Sequence, residues 1–215
     1  MRTTRWFIAG LFCSASLSAA ASAQQSRYFD DSWFWGVKSG VATFSPTLGG
    51  NETAATFGGE WLITRSRGGL YISADQANVS TVSAVVDANM SDGVRPVTVN
   101  KLRRIGFAAL AFPVRIGRLR PYAGLGLSVD IVGSAVPQLG AKENGVDDAV
   151  SQRIDENKSQ AGVLGMAGLQ VQFERLAIFG QASVVGAQSR FLLGNSAMGF
   201  FEGGIRYNIG SSRSQ

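Results

Sequence analysis

The chain contains no histidine, and its one cysteine is Cys13. Without an imidazole, Ser-His-Asp and Cys-His catalysis are excluded, and so are histidine-ligated zinc and haem sites. Charged residues amount to only 16%, against an average near ~25%. The acidic stretch between Glu143 and Glu156 lacks the glycine-spaced ligand pattern of an EF-hand and reads as a solvated loop. A carboxylate pair such as Asp130 and Glu202 reads as structural ion pairing before acid–base catalysis. The expectation is a protein without catalytic residues, metal or cofactor.

What is present begins with a basic N-terminus. Arg2 and Arg5 precede an apolar run from Trp6 to Leu17, and Ala21-Ser22-Ala23 closes it. A charged start, a short apolar centre and small residues at the end are the marks of a secretory signal, with cleavage after Ala23. Beyond Phe12 the run dissolves into serines and alanines, too polar for a spanning helix of ~20 residues. Cys13 falls inside the signal, so the mature chain is expected to lack thiol chemistry and disulfides. Without Arg2 and Arg5 the balance is 18 basic to 15 acidic residues, a net +3 too mild to argue for nucleic acid.

After the signal and a lead-in over residues 24–32, short alternating segments follow, separated by glycine, proline and charge. The first sets Trp33, Trp35, Val37 and Val41 against Gly36, Lys38, Gly40 and Ala42. The second sets Phe57, Trp61 and Ile63 against Gly58, Glu60 and Thr64; the third sets Leu70, Ile72 and Ala74 against Tyr71, Ser73 and Asp75. The fourth, about Thr98 to Arg115, is apolar on both faces from Ile105 to Phe112, which leaves its phase open. The fifth alternates Ala123, Leu125, Leu127, Val129 and Ile131 with Gly124, Gly126, Ser128 and Asp130. Further strands are read over Gln160 to Glu174, Leu176 to Ala187 and Met198 to Ile209, making eight. A helix over Ala161 to Phe173 is a rival, but glycines at 162, 165 and 168 repeat every three residues, not every four.

Connection lengths alternate short and long, as an antiparallel up-and-down barrel with one trimmed and one decorated rim requires. Trp33, Trp35, Trp61, Tyr122, Phe173 and Tyr207 all fall near the short-turn rim, where an aromatic girdle would meet lipid headgroups. This favours an all-β, eight-stranded antiparallel transmembrane barrel with its polar face inside. A soluble barrel with the aromatics as its core is the rival reading.

The last strand then carries a specific likeness. Glu202, Gly204, Tyr207 and Ile209 give a polar residue, a glycine, an aromatic and an apolar residue near the end of the barrel, followed by a polar tail over residues 210–215. This resembles the C-terminal assembly signal of bacterial outer-membrane barrels, and the whole mature chain resembles the small OmpA/OmpX-type barrels. The resemblance implies residence in the bacterial outer membrane, contact with outer-membrane lipids and recognition by the outer-membrane assembly machinery. In that family the signal commonly ends the chain, whereas here the tail follows it.

An eight-stranded barrel is just wide enough for side chains to fill it. Lys38, Glu60, Asp75, Asp130, Glu202 and Arg206 must then pair or stay hydrated. Two interiors remain open: a lumen plugged by such pairs, or a narrow polar path left by the inward glycines. The connection over residues 134–159 is the prime surface for an extracellular partner, with Asp147 to Asn157 a candidate for a short exposed helix. Arg65, Arg67, Arg118, Arg120 and Arg175 are expected at the opposite, periplasmic headgroups. The expected state is a monomer with a structural or surface-interaction role; the alternatives are a narrow pore or carrier for a small solute and a soluble periplasmic ligand-binding barrel.

Overall fold

A computed structural model describes residues 29–140, 143–187, 190–194 and 196–211. The expected signal over residues 1–23, with Cys13 and the cleavage point, lies outside the described residues, as do residues 212–215. The strands are β1 (Ser32–Phe44), β2 (Glu52–Thr64), β3 (Gly68–Val86), β4 (Val94–Ala111) and β5 (Leu119–Pro137), then β6 (Ser159–Phe173), β7 (Leu176–Val185) and β8 (Met198–Ser211). One helix, α1 (Asp148–Glu156), sits in the β5–β6 connection. Each strand pairs antiparallel with its sequence neighbour, and β8 returns to β1, so the sheet closes as an eight-stranded barrel. Closure removes the unpaired edges that an open sheet would expose.

The alternation in the sequence maps directly onto the two sides of the wall. Val37, Leu125, Leu127, Val163, Ile178, Phe201 and Ile205 are exposed on the outside, while Lys38, Ser128, Asp130 and Arg206 are buried inside. A soluble barrel has the reverse distribution. The glycine-rich stretch over Ala161 to Phe173 is strand, with ten residues of β6 in register with β7.

The ambiguous strand resolves once its partners are known. Ile105, Phe107, Ala109 and Ala111 point out; Gly106, Ala108 and Leu110 point in. It is apolar on both faces because the inside at that depth is packed by hydrocarbon. It spans Val94–Ala111, not 98–115, and Pro113 follows where the next ladder N–H would be needed. Its upper part was hidden by a slip in alternation: Asn100 and Lys101 are both exposed where the register with β5 shifts. β3 and β5 continue upward with it, as Val86↔Val94 and Val97↔Pro137 show. The β3–β4 connection is accordingly short, residues 87–93. At the seam, Ser32 pairs with Ser211 and Trp33 with Gly210, so these residues belong to the barrel and not to a lead-in or tail. Small polar residues give no hydrophobic alternation, but their backbones still join the ladder.

Two inward glycines are fixed by close approach of neighbouring strands. A Cβ on Gly126 would lie 1.8 Å from the Phe107 carbonyl oxygen, and one on Gly40 would lie 1.9 Å from that of Phe201. Gly180 has nothing within 4 Å of the same position. Gly126→Ala is expected to lower stability by about 1–3 kcal/mol, and Gly180→Ala to change it by less than about 0.5 kcal/mol. A urea titration of the folded fraction, read by gel mobility without boiling, measures both.

Candidate functional site

The lumen is filled at three levels. At the short-turn end, Phe29 precedes β1 and is wholly buried. Its carbonyl accepts the Thr64 hydroxyl, its ring meets Phe112 edge-on at 4.8 Å, and the Arg120 guanidinium covers it at 3.8 Å. Phe34, Leu62 and Leu110 complete this floor.

Tyr122 belongs here too, not to an outer girdle. It is 3% exposed and hydrogen-bonds Gln181 at 3.0 Å, while an Arg206 Nη donates to its hydroxyl at 3.3 Å. Its height along the chain suits the rim, but it shares the face of Gly124 and Asp130, and that face points inward. Trp33, Trp35, Trp61, Phe173 and Tyr207 do stand on the outer wall near the short turns. Trp61 lies 5.9 Å from Trp33 and 6.1 Å from Trp35, Tyr207 is the register partner of Trp35, and Arg118 approaches the Phe173 ring at 5.4 Å.

The middle level is ionic. Lys38 from β1 contacts Asp75 of β3 at 3.0 Å and Glu202 of β8 at 2.8 Å. Arg104 from β4 contacts the same two carboxylates at 2.9 and 3.3 Å. Arg206 pairs with Glu60 and donates to Gln170 at 2.7 Å. Tyr71 donates to Glu60 at 3.0 Å, and Gln181 links Tyr71 to Glu202, so the two ionic groups form one network. Asp130 stands apart, accepting from Ser128 and Gln160.

Arg104 and the three glutamines were not singled out from the sequence. Arg104 lies in the strand of open phase, although alternation obliges one of the adjacent Arg103 and Arg104 to face inward. Among the residues of the terminal motif, Glu202 and Gly204 face in and Tyr207 and Ile209 face out. Gly204 also allows a close seam, since a Cβ there would lie 2.1 Å from the Val37 carbonyl oxygen.

The upper level is apolar again. Phe191, Leu192 and Leu193, from the β7–β8 connection, are buried with Val97, Val99, Leu102 and Val132. Helix α1 turns Val150 and Ile154 into the same cluster, one turn apart on one face. The helix is therefore half-buried and amphipathic, not freely exposed. Arg153 donates to the Val86 carbonyl at 2.6 Å, and the Leu192 N–H to the Asn157 carbonyl at 3.2 Å, tying helix and inserted loop to the barrel.

Beside them, Arg95 clasps two loops. Its Nε donates to Asp87 at 2.5 Å, and its two Nη groups form a bidentate pair with Glu143 at 2.6 and 3.0 Å. The Arg95 guanidinium and the Gly140 N–H hold the Glu143 carboxyl down at about 2. The Asn89 N–H, then Arg95, lower that of Asp87.

Against known proteins, no protein-family model and no curated sequence matches the chain. Solved structures do. The crystal structure of Neisserial surface protein A superposes with a TM-score of 0.53 at 13% identity, covering 82% of this chain and 97% of that one. The attachment invasion locus protein of Yersinia pestis gives a TM-score of 0.46 at 12% identity, covering 84% of this chain and all of that one. The fold is that of a small eight-stranded outer-membrane barrel.

Removing one partner of the buried ionic square leaves carboxylates uncompensated. Arg104→Met is expected to cost about 3–5 kcal/mol, whereas Arg103→Met, one residue away on the outer face, is expected to cost less than about 0.5 kcal/mol. Urea unfolding of the two variants measures the difference.

The clasp has its own pH signature. A carboxyl with a lowered folded pKa contributes stability above its unfolded value, 4.5 for Glu143, and loses it as pH falls through about 2. Protection of the Gly140 and Glu143 amides, taken relative to the intrinsic exchange rate at each pH, should therefore be constant from neutrality to about pH 5 and fall between 4.5 and 2. Glu143→Gln should show the lowered protection already at pH 7.

Proposed function

We propose that this chain is an integral protein of the bacterial outer membrane, exported with cleavage after Ala23, whose role is structural and surface-interacting through its long-loop end. The observation that carries the reading is an inside-out barrel whose lumen is filled from floor to roof. The outer wall is apolar where lipid would lie, and the interior holds the charges. Among the described residues, Phe29, the ionic network and the Phe191–Leu193 insert fill the lumen in turn. That directs function to the outside.

The long-loop end supports the same reading. β3, β4 and β5 rise above the apolar band, and helix α1 and the clasp brace them. Val82, Val86, Val136 and Leu139 are exposed there, above the level where lipid would cover them. Apolar side chains left open to water on a braced surface mark a contact site for an extracellular partner. The segment over residues 134–159 supplies two of the four. In this reading the protein is a monomer without catalytic role or cofactor. Trp33, Trp35, Trp61, Phe173 and Tyr207 anchor the periplasmic headgroup level, and Glu202, Gly204, Tyr207 and Ile209 are read by the assembly machinery.

The test is extraction and mobility. The mature protein, beginning at Gln24, should resist carbonate, require detergent, and migrate differently before and after boiling. In planar bilayers it should be electrically silent, and opening the network with Lys38→Ala should be needed before any current appears. Carbonate release without a mobility shift would overturn the membrane assignment; steady conductance of the unaltered barrel would overturn the closed lumen.

A further inference from the structure

Two cations on the outer wall have no place in the lumen network. Lys101 and Arg103 of β4 are both exposed and point outward, and among the described residues no acidic side chain lies within ion-pair distance of either. Their neighbours across the strands are uncharged. Lys101 is in register with Asn78 and Ser134, and Arg103 with Gln76 and Ile131.

Their height is informative. From Ala111 at the short-turn edge, Arg103 and Lys101 stand roughly 21 and 26 Å up the wall, at ~3.4 Å per residue and ~40° of tilt. The apolar band of such barrels is about 25 Å tall. Lys101 therefore stands at the upper edge of that band, on the side of the long loops, and Arg103 about 4 Å below it, where a long side chain can carry its guanidinium up to the headgroups.

The wall around them is shaped as well as charged. Gly133 of β5 lies between the two: a Cβ there would be 3.3 Å from the Lys101 Cβ and 4.0 Å from the Arg103 Nε. With no side chain at Gly133, the space between the cations is open to the outside. Beside them, a cleft of about 450 Å³ is lined by the outer-face residues Phe57, Ala74, Gln76, Arg103, Ile105 and Ile131, with the inward Asp75 and Arg104 also at its wall. A cationic notch beside a mostly apolar cleft, opening sideways to the bilayer, matches a molecule with an anionic head and a hydrocarbon tail.

We propose that this face binds an acidic amphiphile of the outer leaflet, with a phosphate between Lys101 and Arg103 and an acyl chain in the cleft between Phe57 and Ile105. Arginine offers its planar fork to phosphate oxygens, lysine a point charge, and Gln76 and Asn78 add neutral donors at the margin. Each cation near an anionic membrane surface strengthens attachment, and the cleft adds apolar contact that free phosphate could not use. The proposal rests on the transmembrane reading above.

The experiment uses the folded full-length mature protein, with folding scored first by the mobility shift on boiling. Native mass spectrometry then counts lipid retained from phosphatidylcholine vesicles with and without lipid A. The unaltered protein should retain lipid A in preference to phosphatidylcholine, and Lys101→Gln/Arg103→Gln should weaken that preference about tenfold with folding intact. Arg118→Gln/Arg175→Gln, at the opposite rim, should leave it unchanged. Equal retention by the unaltered protein and the Lys101/Arg103 variant overturns the site. So does loss of preference only in the opposite-rim variant. Thermal stabilisation by inorganic phosphate alone, equal to that by lipid A, would show a phosphate site and overturn the amphiphile. A protein without the mobility shift fails at the transmembrane reading, before lipid is considered.

Discussion

Two cations shared between two carboxylates hold the centre of this barrel. Lys38 and Arg104 each reach both Asp75 and Glu202, and the four side chains come from β1, β3, β4 and β8. Charges taken out of water are tolerated only when partners and further hydrogen bonds replace the lost solvation. The square meets that demand by bridging the seam strands to strands across the lumen. A second pair, Arg206 with Glu60, joins it through Tyr71 and Gln181. An interior spent in this way is a brace, in a barrel whose width is just enough for side chains to fill it.

The floor and the roof follow from the same geometry. Below the ions, where the strands carry Phe34, Leu62 and Leu110 inward, Phe29 folds under the barrel and Arg120 lies across it. Above them, Phe191, Leu192 and Leu193 turn in, and helix α1 covers them with Val150 and Ile154. Each apolar level closes over an ionic level whose side chains are themselves buried. The loops of the long end are thereby tied to the wall, and a tied surface can present a defined shape to a partner with less ordering cost than free loops.

Much of the architecture was legible in residue alternation. Strand number and the inward placement of Lys38, Glu60, Asp75, Asp130, Glu202 and Arg206 both depend on period two, which the pleat of every strand imposes. Connection lengths were less legible, since the β3–β4 and β4–β5 connections each span seven residues. The failures share a physical cause. Tyr122 was placed by height alone, although its phase with Gly124 turns it inward. Arg104 was missed because β4 is apolar on both faces below it and slips by one residue at Asn100 and Lys101 above it. Phe29 and the Phe191–Leu193 insert have no periodicity to read, since they enter the lumen as loops. The clasp of Arg95 joins Asp87, across the β3–β4 connection, to Glu143 in the distant β5–β6 connection, and no alternation or motif announces it.

The outer face divides by the same logic that fills the inner one. Where hydrocarbon is the solvent the wall carries valine, leucine and phenylalanine, and an unpaired charge there would be costly. Lys101 and Arg103 stand at the upper limit of that band, on the strand that also sends Arg104 inward. Inside, Arg104 is neutralised by Asp75 and Glu202. Outside, no described side chain does the same for its neighbour. An arginine pair split by the pleat thus has one member satisfied by the protein and one left for its surroundings. With a headgroup layer at that height, the surroundings that satisfy it are anionic.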